Sequence, residues 1–190
     1  MLNRLVLPMD KLSAVTLGEK WRVTLLVEGE PGPLPPQVET LETKSAKRLS
    51  LPTYCETPLQ NIEDGYAKVR TAGPSSEGLA EFLRGAAARR LPFKATAGLH
   101  HPVRTSMHGF LNVFVGATFA WLGMDRMTLV NLLNETNPRA FDFRDDSLRW
   151  RNCRASTAEV AQARREFAHS FGSCSFEEPV EGLRALGLME

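Results

Sequence analysis

The chain lacks the cysteine patterns that staple small secreted domains or hold zinc. Its three cysteines, Cys55, Cys153 and Cys174, are odd in number and widely spaced, and no CxxC occurs. Disulfide frameworks and zinc ribbons need paired cysteines at short spacings, so both are disfavoured. The pattern predicts reduced, mostly buried thiols in a cytoplasmic protein.

The chain also lacks an excess of one charge and a long apolar run. Its 23 basic and 22 acidic residues give a net charge of +1, which creates no global field for nucleic acid or anionic membranes. The longest apolar candidate, "FLNVFVGATFAWLGM" at residues 110–124, is shorter than the roughly 18 residues of a spanning helix. It carries Asn112, and we interpret it as a buried helix. We therefore expect neither a nucleic-acid nor a membrane partner.

A strand–helix–strand unit is the clearest structural signal. "GYAKVRTAG" at residues 65–73 and "PFKATAGL" at residues 92–99 read as strands that end in similar glycine turns. Between them Leu79, Phe82, Leu83 and Ala86 follow the i, i+3, i+4, i+7 spacing of one buried helix face. The 190 residues favour one α/β domain over 1–190, with a mostly parallel sheet built from βα units. Because a complete TIM barrel takes ~250 residues, the expected form is a partial or irregular barrel-like sheet, an open sheet, or a barrel that a partner completes as a homo-oligomer.

The C-terminal part predicts a small hairpin and two helices. "FDFRDDSLRW" at residues 141–150 alternates apolar and polar residues around a turn, which is typical of a hairpin. Ser156 and Glu159 have capping-box spacing before a helical pattern, for which Gly172 is the expected C-cap. Ser175 and Glu178 repeat that spacing. "HSFGSCSFEE" is then interpreted as a joint between two helices, with an anion site at the second helix as the alternative.

Charged and imidazole side chains gather where the predicted strands end. In parallel α/β sheets and barrels the carboxyl ends of the strands form the site. The P-loop, GxGxxG, GxSxG and HExxH motifs are all missing, so the candidates rest on position alone. The candidate residues are Glu56, Lys68, Arg70, Lys94, His100, His101 and Arg104.

Each candidate has a chemical and a structural interpretation. Lys94, a lysine in an apolar strand, predicts an electrophile or Schiff-base amine; the alternative is a structural ion pair with Glu56. Glu56 or His100 would transfer protons as catalytic groups. The expected anion-binding residues are Lys68, Arg70, His101 and Arg104; for the first two the alternative is a solvated edge.

A metal site is not expected, and neither is a cofactor. Adjacent histidines on a strand point to opposite faces, so His100 and His101 do not easily bind one ion. A loop histidine without a chemical role is the plain alternative for either of them.

The strings "KVRTAG", "FKATAGLHH", "HGFLN" and "FGSCSFEEP" together resemble a family of uncharacterised bacterial proteins. That resemblance runs from about Trp21 to the C-terminus and implies an α/β architecture, without implying a reaction. It carries the family motifs onto Lys68, Arg70, Lys94, His100, His101, His108 and Asn112. Ala72 stands where the family has a second glycine. "FKATAG" and "KVRTAG" also resemble, more loosely, the Schiff-base aldolases among the TIM-barrel enzymes.

Two function hypotheses follow from these residues. The first is a small-molecule enzyme, aldolase-like, lyase-like or isomerase-like, that acts on a phosphorylated or carboxylated carbonyl compound. The second is a non-catalytic ligand-binding or interaction protein on a barrel-like scaffold. In both the expected partner is a small molecule.

Overall fold

The chain forms two compact units, Met1–Val69 and Arg70–Glu190, which we call the first and the second unit. The computed structural model describes residues 4–175 and 177–189. A single domain over residues 1–190 stays a prediction.

The first unit is a parallel sheet whose strands lie side by side in the order of the sequence. That order is typical of the winding of a βα barrel. Its connections are loops and two 3-10 helices, Met9–Ala14 and Leu59–Asn61. The strands are β1 (Leu5–Pro8), β2 (Val23–Leu26), β3 (Val38–Thr43), β4 (Thr53–Cys55) and β5 (Tyr66–Arg70).

The core of the first unit lies on one side of β2 and β3. Val23, Leu25 and Leu41 are fully buried there because alternate residues of a strand face the same way. Leucines from the strand β1 and from the connections pack against this cluster. They are Leu7, Leu12, Leu17, Leu34, Leu49 and Leu51.

In its described residues the second unit combines two parallel strands, an antiparallel sheet of three strands, five α-helices and a 3-10 helix, Pro138–Ala140. Its elements, in chain order, are α1 (Ser76–Ala88), β6 (Phe93–Thr96), α2 (Phe110–Trp121), α3 (Arg126–Leu133), β7 (Phe141–Phe143), β8 (Ser147–Trp150), β9 (Cys153–Ser156), α4 (Thr157–Glu166), β10 (Ala168–Gly172) and α5 (Glu177–Ala185). The strands β6 and β10 pair in parallel, and the predicted hairpin is β7–β8. The expected α/β class, with a mostly parallel sheet in a partial barrel-like strand order, is confirmed.

Aromatic rings form the core on one side of β6 and β10. Phe93 is fully buried, and its ring centre lies 5.6 Å from that of Phe82 and 4.9 Å from that of Phe167. Phe171 stacks on Phe110 at 5.4 Å. These contacts bury the predicted apolar face of α1, whose cap is Ser75. Lys94 and Ser170 lie on the opposite side of β6 and β10.

The C-terminal prediction is partly wrong. The Ser156–Glu159 capping box is present, but α4 ends at Glu166. Residues Ala168–Gly172 form β10, so Gly172 is not a helix C-cap, and the segment is not a joint between two helices. Phe167 and Phe171 are both drawn into the aromatic core, and pairing with β6 supplies the backbone hydrogen bonds that a longer helix would have made. The strand β9 was not anticipated.

Among the residues that the structure describes, none of the helices has both the length and the apolar character needed to span a bilayer.

Candidate functional site

One face of the sheet in the first unit is polar although it is largely buried. Glu42 pairs in register with Tyr54, and Tyr54 pairs with Tyr66, so their side chains share a face. Alternation along the chain adds further polar side chains to it. The set, which we call the polar face, is Thr24, Thr40, Glu42, Tyr54, Glu56, Tyr66 and Lys68.

Lys68 lies between two carboxylates of this face. Its Nζ is 2.8 Å from Glu42 Oε2 and 2.7 Å from Glu56 Oε2. The side chain of Glu42 is 2% exposed, that of Lys68 10% and that of Glu56 23%. One ammonium and two carboxylates leave this cluster with a formal charge of −1, and Glu56 is the member most open to a ligand.

The side-chain amine of Lys68 stays protonated at neutral pH. Burial alone would lower the pKa of Lys68, but the hydrogen bonds and charges of Glu42 and Glu56 outweigh it and raise that pKa above its ordinary value. A raised lysine pKa stabilises the fold below the unfolded value of about 10.4, and the contribution is lost as pH rises through the folded value. Lys68 is therefore a fixed cation rather than a nucleophilic amine.

Tyr54 lies next to Glu42 on the polar face. Burial raises the pKa of Tyr54 to about 12, with a smaller contribution from Glu42 among the neighbouring groups. Its ring centre lies 5.3 Å from that of Tyr66. The phenol is neutral at pH 7 and adds no charge to the face.

The far edge of the polar face is held by Arg4. Its Nη1 donates to Thr40 Oγ1 at 3.0 Å, and its Nη2 lies 2.5 Å from Glu39 Oε2. The hydroxyls of Thr24 and Thr40 are 2.6 Å apart. Arg4 Nε is buried and makes no hydrogen bond to the described part of the chain, so this edge is only partly satisfied by its own hydrogen bonds.

In the second unit, Lys94 is 5% exposed in the strand β6. It pairs in register with Ser170, and Thr96 pairs with Gly172, so the four residues share one face. A Cβ on Gly172 would lie 3.8 Å from Lys94 Cε. That is an ordinary van der Waals distance, so the lysine stem does not itself require glycine at position 172.

The two copies of the Thr-Ala-Gly string lie at the ends of β5 and β6, and they contact each other. Thr71 donates its backbone N–H to Thr96 O at 2.8 Å, and its hydroxyl bonds to the carbonyl of Ala97. Gly98 has φ +83°, and a Cβ there would lie 3.1 Å from Ala72 Cβ. Glycine is required at position 98 by both its backbone angle and this close approach.

His100 follows that turn and meets two side chains. Its Nδ1 lies 2.5 Å from Glu178 Oε2, and its Nε2 lies 3.9 Å from Cys174 Sγ. The carboxylate and the thiol therefore contact opposite nitrogens of one ring. Cys174 is exposed.

Arg104 is held by His108 and Asn112. Its Nη1 lies 2.8 Å from His108 Nδ1, and its backbone N–H donates to Asn112 Oδ1 at 2.8 Å. Burial lowers the pKa of His108, and the Arg104 cation lowers it further against the opposing bond to Pro74. His108 is thus neutral, with Nε2–H donating to Pro74 O at 3.1 Å and Nδ1 accepting from Arg104.

The predicted candidates fall into separate groups. Glu56 and Lys68 are brought into contact in the first unit. His101 is exposed, and so is Arg70 at the end of β5. The predicted roles of all seven residues stay predictions.

Three contact partners were not anticipated from the sequence: Glu42, Cys174 and Glu178. Glu42 lies in a strand whose last four residues are all buried, which removes the alternation that marks a site residue. Cys174 and Glu178 flank the described start of α5 and are 74 and 78 residues from His100. The sequence marked that segment by the Ser175–Glu178 spacing, by the anion-site alternative and by the "FGSCSFEEP" string, but none of these signals points to His100.

A surface depression of about 540 Å³ lies elsewhere on the first unit. It sits beside the residues that precede β2 and β3, the opposite end from Glu42 and Glu56. Its lining is Glu19, Lys20, Trp21, Arg22, Pro36, Gln37 and Glu39. It does not include a predicted site residue.

Within residues 4–175 and 177–189, no group of three or more His, Cys, Asp or Glu side chains is arranged to hold a metal ion. Comparisons of the chain with protein-family models, with curated proteins and with solved structures found no match. Function is therefore argued from the geometry of the side chains.

Proposed function

We propose that the protein is a small-molecule enzyme, isomerase-like or lyase-like, that acts on a carboxylated or phosphorylated carbonyl compound. The observation that carries the proposal is the Lys68 ammonium held by Glu42 and Glu56 on a buried polar face. Placing three charges there costs several kcal/mol per ion in desolvation, at roughly the scale known for buried ion pairs. Such clusters are enriched at functional sites.

The proposed chemistry is proton transfer beside a carbonyl group. Glu56 accepts a proton from the carbon next to the carbonyl, and Lys68 donates a hydrogen bond to the carbonyl oxygen as it gains negative charge. Glu42 holds Lys68 in place. In an isomerisation the proton returns to the former carbonyl carbon, while a hydroxyl proton of the substrate passes to the carbonyl oxygen. In a lyase reaction a leaving group departs from the next carbon and takes up the proton that Glu56 holds.

The carboxylate or phosphate of the substrate needs a cation of its own, because both carboxylates already compensate Lys68. Arg70 ends the same strand two residues further on, and its side chain is exposed. A guanidinium binds either anion through two parallel hydrogen bonds. We assign the anion contact to Arg70 in this proposal.

A Schiff-base role for Lys94 is a separate part of the proposal. Its burial in β6 supports an amine kept from water, as the aldolase resemblance implies. Borohydride reduction with a bound carbonyl compound traps such an imine at Lys94, and an unmodified Lys94 under those conditions removes that role.

Deuterium exchange tests the proton-transfer chemistry without knowledge of the full reaction. We expect the wild-type protein in D₂O to exchange hydrogens next to the carbonyl of small keto acids or sugar phosphates, followed by proton NMR. Matched ketones and sugars without the anionic group should exchange only at the uncatalysed rate. If no compound of either kind exchanges faster than in buffer, the enzymatic proposal fails.

The second candidate is a non-catalytic ligand-binding protein, and the depression beside Trp21 is the observation that favours it. An aromatic ring with both charge signs around it suits a polar ligand with an apolar part. If this candidate is right, one of the keto acids or sugar phosphates will raise the melting temperature of the wild type but not that of Trp21→Ala. Stabilisation that survives in Trp21→Ala argues against binding at the depression.

A further inference from the structure

In the second unit a nucleophile contacts a base, and the base contacts a carboxylate that can orient it. Cys174 Sγ is 3.9 Å from His100 Nε2, and His100 Nδ1 is 2.5 Å from Glu178 Oε2. All three cysteines are free thiols. A nucleophile next to a base that a third group orients is the common pattern of covalent catalysis.

The carboxylate fixes the tautomer of the imidazole. An ionised Glu178 can only accept hydrogen bonds, so the proton of a neutral His100 lies on Nδ1. Its Nε2 then carries a lone pair that faces the thiol of Cys174. His100 is thereby set to take the thiol proton, since the thiolate is the reactive form of cysteine.

The fold brings two of these side chains, His100 and Cys174, together from neighbouring strand ends. His100 follows the turn after β6, Cys174 lies two residues after β10, and these strands are paired in parallel. Their carboxyl ends therefore meet at one edge.

A close contact between Gly182 and Pro102 positions the helix α5, which carries Glu178. A Cβ on Gly182 would lie 2.6 Å from Pro102 Cδ, so only glycine allows this approach. Gly182 is one turn after Glu178, and Pro102 is two residues after His100. The same packing that seats α5 on the loop brings Glu178 to the ring.

The arrangement does not fit a metal site. The thiol and the carboxylate contact opposite nitrogens of the imidazole, so the ring separates them and they do not converge on one point.

We propose that Cys174, His100 and Glu178 form a second catalytic site, which transfers acyl groups from esters or thioesters. As Sγ bonds to the acyl carbon, Nε2 takes the thiol proton and passes it to the leaving alkoxide or thiolate as that bond breaks. Water then attacks the acyl–cysteine carbon and gives a proton to Nε2. The proton returns to Sγ as the acid leaves, so the site is regenerated.

Esters and thioesters fit better than amides because the site is open. Cys174 is exposed, and Glu178 is 52% exposed. An open site excludes little water and provides few contacts to distort a substrate, which favours acyl groups with good leaving groups. The site shares no residue with the Glu42–Lys68–Glu56 cluster, so failure of either proposal leaves the other standing.

Competitive alkylation of the full chain tests the nucleophile first. We expect iodoacetamide to modify Cys174 at least about tenfold faster than the half-buried Cys153, because Cys174 is exposed and contacts a base that can take its proton. Peptide mass spectrometry reads both rates in one sample. This measurement needs no variant, so it remains decisive even if substitutions prevent folding. Equal rates at Cys174 and Cys153 would overturn the proposal.

Acyl transfer is then measured with p-nitrophenyl acetate. One equivalent of p-nitrophenolate should appear in a burst, with an acetyl group on Cys174 and none in Cys174→Ser. His100→Gln should slow the burst about 100-fold, the lower range for loss of a general base. A burst that is unchanged in His100→Gln, or acetyl groups only at other residues, would contradict the assignment.

Glu178 is a positioning residue and is tested against its neighbour Glu177. Glu178→Gln should lower the ratio of the Cys174 to the Cys153 alkylation rate, whereas Glu177→Gln should leave that ratio unchanged. A general loosening of the fold would also lower this ratio, so the two rates are compared separately. Loosening raises the rate at Cys153, whereas loss of the orienting carboxylate lowers the rate at Cys174. If both variants keep the wild-type ratio, the carboxylate does not orient His100.

Discussion

Lys68→Met should destabilise the protein by about 3–5 kcal/mol at pH 7, the usual cost of breaking a buried ion pair by removing one partner. Methionine keeps the length of the stem but removes the ammonium that bonds Glu42 and Glu56 at 2.8 and 2.7 Å. Glu42 is 2% exposed, so water cannot replace the lost partner at that carboxylate. Urea unfolding followed by circular dichroism measures the change.

Two comparisons separate this effect from a loss of packing. In the double variant Lys68→Met/Glu42→Gln the remaining charge at Glu42 is gone, so we expect part of the stability to return. Lys47→Met removes a lysine whose partner, Glu63, lies 3.8 Å away with both side chains more than 70% exposed, and it should change stability little. A Lys68→Met variant as stable as Lys47→Met would show that the polar face does not depend on the ammonium.

Asn112→Ala should cost about 2–4 kcal/mol, because it leaves buried backbone groups without partners. The side chain is fully buried and accepts from the Arg104 N–H at 2.8 Å. It also donates to Leu132 O at 2.9 Å and to Glu135 O at 2.8 Å. One amide thus joins α2 to the loop before it and to the end of α3. Thermal unfolding and the denaturant midpoint report the loss.

The matched control lies on the neighbouring helix. Asn131 is exposed in α3, and Asn131→Ala should have little effect or a small stabilising one, because alanine is the better helix former. Similar effects of the two substitutions would mean that the three hydrogen bonds of Asn112 contribute little.

The regular elements were predictable because local signals and tertiary packing agree. The face of α1 and the Ser156–Glu159 capping box were both readable from spacing. β10 was misread because its residues continue a helical pattern, and only the pairing with β6 makes it a strand. The hydrophobic core, rather than local propensity, decides that segment.

The site was less predictable than the fold. Position near strand ends identified Glu56, Lys68 and His100, but it could not show which groups would touch. Glu42 was missed because a strand buried on both faces hides the alternation that marks inward polar residues. Cys174 and Glu178 were missed as partners of His100 because β10 was read as part of a helix, and that interpretation gave no reason to place them beside β6.

The most direct test of the proton-transfer proposal compares Glu56→Gln with Glu63→Gln in the deuterium-exchange assay. Glu56 contacts Lys68, whereas Glu63 is an exposed glutamate of the same unit. The account predicts that Glu56→Gln lowers the exchange rate of the best carbonyl compound at least about 100-fold, as expected for loss of a general base, and that Glu63→Gln retains the wild-type rate. Equal exchange rates in the two variants would contradict the assignment of Glu56 as the base.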